Sequence, residues 1–296
     1  MRLKGLVTNV LTPMDNQGHP DNDGIHALVD YLVSAGIGGL WVLGSAGEDV
    51  HLSAPDKAEV IHSFLAAGQG RVPMVMGLGT GTFHDYMILC DNIETDKVDT
   101  FHFLPYDQKI GDQSLVRYVE KLADALPCPL WLYHNPKRGR GFTLETVRTL
   151  KQHPNIIGIK VGGYSLTDLT RMMMLEDDKF QVAGAGGGQL FQMLSLGAQV
   201  HMTSDSNCFP EVFLELISLF QQGKKEEALA LQYDIIRFLS RIPHTDNGEY
   251  AAEEKYIVTL RGVRINEYVN PAYRCLTNDE KQTIQMVLQE QGFSWA

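Results

Sequence analysis

Asn155-Ile156-Ile157-Gly158-Ile159-Lys160-Val161 is an apolar run that carries one ionisable amine near its end. Short continuous apolar runs of this kind fit a strand buried on both faces of a parallel sheet. Taking an ammonium out of water is so costly that the group tends to shed its proton instead. A neutral lysine is a nucleophile: it attacks a ketone to form a Schiff base, whose iminium nitrogen withdraws electrons from the neighbouring carbon. The plain alternative is a lysine whose stem packs on the core while its head reaches solvent.

On both sides of this run, short apolar segments alternate with longer amphipathic ones as far as about residue 222, the pattern of parallel strands joined by helices. Eight strands are expected, at 5–11, 38–43, 73–77, 98–104, 130–133, 156–161, 180–183 and 199–203. The helix at 23–35 places Ile25, Leu28, Val29, Leu32 and Val33 on one face. Eight such units close naturally into a TIM barrel, with a doubly wound open sheet as the competing α/β architecture. After Gly223 the pattern is helical only, at 224–242, 250–262 and 277–291, with turn-forming residues at 243–248.

In a barrel, residues distant in sequence converge if they sit at the carboxyl ends of the strands. Ser45 follows the second strand, Tyr106 the fourth and Tyr133 the fifth; Lys160 ends the sixth, and the loops 184–188 and 204–207 follow the seventh and eighth. Gly184-Ala185-Gly186-Gly187-Gly188-Gln189 imitates a dinucleotide loop, but its sixth position is Gln189 and it lies late in the chain, so no nicotinamide site is expected. None of the ten histidines shows the usual metal-binding spacing beside a carboxylate. His102 and His201 are expected as hydrogen-bonded core or wall residues, and His134 on the strand face opposite Tyr133.

Three segments follow one another along the chain: Gly39-Leu40-Trp41-Val42-Leu43 delivering the turn Gly44-Ser45-Ala46-Gly47-Glu48, then Leu130-Trp131-Leu132-Tyr133-His134-Asn135-Pro136, then the lysine run. They are joined by Gly5-Leu6-Val7-Thr8-Asn9-Val10-Leu11-Thr12-Pro13-Met14, Leu104-Pro105-Tyr106, Glu254-Lys255-Tyr256, Arg261-Gly262 and Asn270-Pro271. In this order they resemble the dihydrodipicolinate synthase/N-acetylneuraminate lyase family of Schiff-base aldolases over almost the whole chain. The resemblance implies a (β/α)8 TIM barrel with a C-terminal helical appendage, divided as residues 1–222 and 223–296. It also implies a homo-oligomer, tetramer or dimer, working without cofactor or metal.

By the same resemblance Lys160 attacks C2 of an α-keto acid, Tyr133 transfers protons, and Ser45 supplies a hydrogen-bonded relay. The backbone N–H groups of Ser45 and Ala46 bind the α-carboxylate, Tyr106 and Gly186 belong to the substrate site, and Glu48 holds the turn. Arg138 matches the arginine with which synthase-like members hold a distal carboxylate; its alternative is a solvated charge in a basic loop. The chain departs from the synthase pattern at Ser45-Ala46, where two threonines are usual. It departs again at Asp107, where a second tyrosine is usual. Gly186-Gly187-Gly188 stands where sialic-acid lyases carry acidic residues.

The expected activity is thus a Schiff-base lyase for pyruvate or a short 2-keto acid, such as a 2-keto-3-deoxy sugar acid or a related dicarboxylate. Dihydrodipicolinate synthase is the nearest alternative. A catalytically silent keto-acid-binding barrel is an alternative of another class, and the intact Ser45, Tyr133 and Lys160 set argues against it.

Composition narrows the partners. With 36 acidic against 25 basic residues the net charge is -11, which disfavours nucleic acid and anionic membranes. No run approaches the roughly 20 apolar residues that span a bilayer. Met1-Arg2-Leu3-Lys4-Gly5 lacks the features of a signal peptide, so a cytoplasmic location is expected. Cys90, Cys128, Cys208 and Cys275 form neither a metal nor a redox motif. An anionic substrate would need a locally basic site, and Lys137-Arg138-Gly139-Arg140 is the dense basic cluster.

Overall fold

The computed structural model describes residues 2–245 and 251–291. Eight strands and eight helices alternate: β1 (Gly5–Asn9), α1 (Asn22–Ala35), β2 (Gly39–Val42), α2 (Ala54–Gly68), β3 (Met74–Gly77), α3 (Phe83–Asp91), β4 (Thr100–Phe103), α4 (Asp112–Ala125). The second half runs β5 (Leu130–His134), α5 (Leu144–Leu150), β6 (Ile156–Val161), α6 (Leu166–Met173), β7 (Gln181–Ala185), α7 (Leu190–Ser195), β8 (Val200–Thr203), α8 (Pro210–Gln221). All strands are parallel and β1 pairs with β8, so the sheet closes into a (β/α)8 barrel and the open-sheet alternative falls. Each of the eight expected strand segments overlaps one observed strand: five strands are shorter by one to three residues, β6 has the expected bounds, and β5 and β7 run on to His134 and Ala185, past the expected ends at 133 and 183.

Alternation along the strands sorts side chains into two layers. Val7, Trp41, Val75, Trp131 and Tyr133 share the barrel interior, whereas Leu6, Leu40, Val42, Leu130 and Leu132 pack outward against the helices. Ile159 and Val161 belong to the outer layer, which turns Lys160 inward. The register then matters: Tyr133 pairs with Lys160, and Lys160 with Ala183, so these neighbours stand at one level of the barrel.

The helices begin where the sequence supplies a cap. Asp21 accepts from Gly24 N at the start of α1, Ser53 from Asp56 N at α2, and Ser165 from Asp168 N at α6. On α1, Ile25, Leu28, Val29 and Leu32 are buried and Val33 partly so. The later helices are α9 (Lys225–Leu239), α10 (Ala252–Leu260) and α11 (Asn278–Gln291). Tyr250, expected to open the second of these, and residues 246–248 of the expected turn lie outside the described residues, as does Met1.

This helical region is continuous with the barrel core, for Ile235, Phe238, Ile257, Val258, Ile284 and Val287 join the same apolar cluster as the barrel helices. No helix among the described residues is long and apolar enough to cross a membrane.

Candidate active site

At the carboxyl ends of the strands lies a cleft of about 400 Å³, whose walls include Lys160, Tyr133, Ser45, Ala46 and Gly186. Lys160 forms its floor. It is 1 % exposed, and Nζ donates to Asn9 Oδ1 at 2.9 Å and stands 4.2 Å from the centre of the Tyr133 ring. Burial drives its pKa well below the ordinary lysine value; the positive charge of Arg138 adds to the shift, and Asp49 opposes it. Burial thus favours the neutral form of the amine that faces the cleft, and the amide oxygen of Asn9 accepts from it without adding a charge.

Tyr133 stands beside it on β5, its ring packed edge-on against Trp41 and His102. Burial raises the pKa of the phenol, while Ser45 and Asn135 act in the opposite direction by hydrogen bonding. Ser45 Oγ lies 3.2 Å from the Tyr133 hydroxyl, which also accepts from Asn135 Nδ2 at 3.2 Å. Arg138 Nη1 donates to Ser45 Oγ and, at 3.0 Å, to Asp49 Oδ1. The Tyr106 hydroxyl donates to the other oxygen of Asp49, and the Arg138 guanidinium lies over the Tyr106 ring, 5.7 Å from its centre.

The turn carrying Ser45 is held under tension from both sides. Leu43 and Glu48 both adopt left-handed backbone, with φ of 54° and 56°, a conformation that costs side-chain-bearing residues free energy and persists only when the surroundings impose it. The restraint on Glu48 is visible: its two oxygens accept from Lys255 Nζ and Asn270 N, each at 2.6 Å. Glu48 thus ties the turn to the C-terminal helices and stays out of the cleft.

Across the cleft, Gly186 has φ of 93°, which a glycine adopts without strain. Its carbonyl accepts from His201 Nε2, and Gly187 N donates to Asp205 Oδ2. A Cβ at Gly187 would come within 2.5 Å of that oxygen, so the loop needs a glycine there. His102 and His201 are hydrogen-bonded core residues outside the cleft lining that burial holds neutral, with pKa pushed down to about 3 and about 4. His134 points outward from the barrel and stacks on Tyr164.

Of the residues singled out from the sequence, Lys160, Tyr133, Ser45, Ala46 and Gly186 meet at the cleft. Arg138 and Tyr106 hydrogen-bond to Asp49, and neither lines the cleft. Sequence reasoning passed over Asn9, Asp49 and Asn135. Asn9 ends β1, and the rule that strand ends build a barrel site points to it. Asn135 lies two residues beyond Tyr133. Asp49 carries no such signal, because its partners are 57 and 89 residues away. The far wall, with Gln189, Thr203, Ser204 and Asp205, was legible only as the loops after the seventh and eighth strands.

A family model described as the dihydrodipicolinate synthetase family matches residues 2–291. The chain belongs to this family. The N-acetylneuraminate lyase of Rhizobium meliloti is 30 % identical over 78 % of this chain and 78 % of its own length. A putative 2-dehydro-3-deoxy-D-gluconate aldolase of Escherichia coli, YagE, is 27 % identical over 97 % of this chain and 96 % of its own. The crystal structure of YagE in complex with pyruvate superposes with a TM-score of 0.90, covering 97 % of this chain and 98 % of that one. A 4-hydroxy-tetrahydrodipicolinate synthase of Syntrophus aciditrophicus is 27 % identical over 98 % of both chains. As a dihydrodipicolinate synthetase family member on this barrel, the protein is an enzyme of the Schiff-base lyase and synthase class.

Proposed function

We propose that the protein is a class I lyase that cleaves or forms a short 2-keto-3-deoxy acid through an imine on Lys160. The observation that carries this reading is a fully buried lysine, its pKa lowered by that burial, with Nζ 4.2 Å from the centre of the Tyr133 ring and facing an open cleft. The Lys160 nitrogen adds to C2 and its proton passes to the carbonyl oxygen; Tyr133 then protonates the resulting hydroxyl, water leaves, and an iminium remains beside a Tyr133 phenolate. Tyr133, in its phenolate form, takes the proton of the C4 hydroxyl. The C3–C4 bond then breaks, the aldehyde departs, and the electron pair moves onto the iminium as an enamine. Tyr133 returns the proton to C3, and water hydrolyses the imine to release pyruvate.

Ser45 and Ala46 open a short helical turn, where backbone N–H groups lack intrahelical acceptors and suit the α-carboxylate. Arg138 is already engaged by Asp49 and Ser45, whereas Gln189, Thr203, Ser204 and Asp205 face the far end of the cleft. Amides, hydroxyls and a carboxylate read hydroxyl groups, so a short polyol acid fits better than a second carboxylate. The loop after β7 offers no acidic side chain for a nine-carbon sialic acid. Dihydrodipicolinate synthesis is the second reading, supported by full-length relatives with that name.

A homo-oligomer in the cytoplasm completes the proposal. Leu166 and Met174, at 61 % and 80 % exposure, offer apolar area that association would cover; light scattering on the purified chain reads its mass.

Pyruvate with borohydride tests the chemistry. The expected result is inactivation and one reduced pyruvyl group on Lys160, found by peptide mass mapping. Capture on another lysine, or none at saturating pyruvate, rules the mechanism out and leaves the silent barrel. Pyruvate release from a panel of 2-keto acids then ranks the substrates.

A further inference from the structure

We infer that Asp49 is a positioning residue for Tyr133: by holding Arg138 against Ser45 Oγ, it sets the direction of the hydrogen bond between Ser45 and the phenol. The inference rests on the Schiff-base reading above and adds to it a residue that never touches substrate.

Donors and acceptors fix that direction. Asp49 opens the short turn after Glu48 and its side chain is 1 % exposed. Its two oxygens accept from Arg138 Nη1 and the Tyr106 hydroxyl, and Asp49 does not line the cleft. A guanidinium donates and never accepts. Ser45 Oγ must therefore accept from Arg138, and it has one proton of its own to give.

The Tyr133 oxygen, 3.2 Å away, already accepts from Asn135 Nδ2. Whenever Tyr133 is a phenolate, the Ser45 proton must point to it, and the chain of donors runs Arg138 to Ser45 to Tyr133. In that state the phenolate holds two donors from the protein and keeps a lone pair for the proton of the substrate. Without Asp49 the guanidinium loses its carboxylate anchor, and the hydroxyl of Ser45 can rotate away.

Charge follows the same geometry. The titratable groups around Asp49 are Arg138, Tyr106 and Tyr133, with Lys57 from α2, Tyr86 from α3 and Lys160 within its field. Arg138 pushes the Lys160 pKa down and Asp49 pushes it up. Removing the carboxylate takes away the charge that opposes the guanidinium, which favours the neutral amine still more.

Pyruvate alone is the probe. Borohydride capture followed by mass reads imine formation on Lys160. In D2O the imine loses a C3 proton to give the enamine and regains a deuteron, so methyl exchange seen by NMR reads proton transfer. With Asp49→Asn, capture at Lys160 should stay within about 2-fold of wild type while exchange falls about 10-fold or more. The acid limb of capture should also move to lower pH.

Because the Asp49→Asn chain deprives a buried guanidinium of its carboxylate, Tyr106→Phe is the second variant: it removes one donor to Asp49, keeps the ring, and should slow exchange by about 2- to 5-fold. The double variant Asp49→Asn/Arg138→Met should exchange as slowly as Arg138→Met alone, within about 2-fold. Additive losses, or an Asp49→Asn or Tyr106→Phe chain exchanging at the wild-type rate, overturn the assignment of Asp49. A wild-type chain that captures no pyruvate overturns the Schiff-base reading itself, and the two failures are told apart by that first measurement.

Discussion

Lys160 and Lys255 are both buried, at 1 % and 0 % exposure, yet they serve opposite ends. Lys255 on α10 meets the carboxylate of Glu48 at 2.6 Å and the carbonyl of Tyr268 at 2.6 Å. Burial lowers its pKa, but the charge and hydrogen bond of Glu48 work against that shift. Among the described residues Lys160 Nζ donates to one acceptor, the amide oxygen of Asn9, and the charge of Arg138 works against its proton while Asp49 favours it. Burial makes an ammonium costly, and the partner decides whether that cost is met by pairing or by losing the proton. One lysine ties the Ser45 turn to the C-terminal helical region, and the other faces the cleft where the proposed imine would form.

The comparison breaks most sharply at Lys160 itself. Lys160→Met should abolish pyruvate capture completely while leaving the circular dichroism spectrum unchanged. It should also raise the melting temperature. A lysine whose folded pKa lies below its unfolded value binds fewer protons when folded. The unfolded state therefore gains by protonation, and the penalty is largest below the folded pKa and fades as pH rises to about 10.4. The stabilisation by Lys160→Met should accordingly be greater at about pH 6 than at about pH 10; equal gains at both would mean that Lys160 is charged in the folded chain.

Tyr133→Phe keeps the packing against Trp41 and His102 but removes the phenol, and turnover should fall by about 10²–10⁴-fold. Steady-state pyruvate release checks this; near-normal rates would assign the proton to water or another group. Lys255→Met should act on stability rather than chemistry. It leaves Glu48 buried without its cation, which costs about 3–5 kcal/mol in urea unfolding, while Lys160 still captures pyruvate. Loss of capture in a folded Lys255→Met chain would show that the tie and the nucleophile are not separable. Ser45→Ala gives the smallest effect, roughly 10-fold in turnover, because it interrupts the relay and leaves the phenol in place.

The same contrast separates what the chain states openly from what it conceals. Lys160 was legible because an amine inside Ile156-Ile157-Gly158-Ile159-Lys160-Val161 breaks a local pattern. Tyr133 and Ser45 were legible because they sit at strand ends, where a barrel builds its site. Lys255 lies in an ordinary amphipathic helix, and nothing nearby in sequence announces Glu48, 207 residues earlier. Arg138 was legible as a cation in a basic loop but its direction was not: it pairs inward with Asp49 rather than extending along the cleft.

By itself, the sequence determined the alternation of strands and helices, the buried amine and the family to which these belong. The alternation and the amine are properties of neighbours within a few residues, set by side-chain periodicity and backbone preference, and the family is a property of the order of such segments along the chain. The tertiary structure alone decided the closure of β1 on β8, the level at which Tyr133 meets Lys160, and the chain of contacts from Asp49 through Arg138 to Ser45. Those depend on register, and in a closed barrel a shift of one residue would turn every inward side chain outward. The partner of a buried charge is therefore fixed only when the barrel has closed around it.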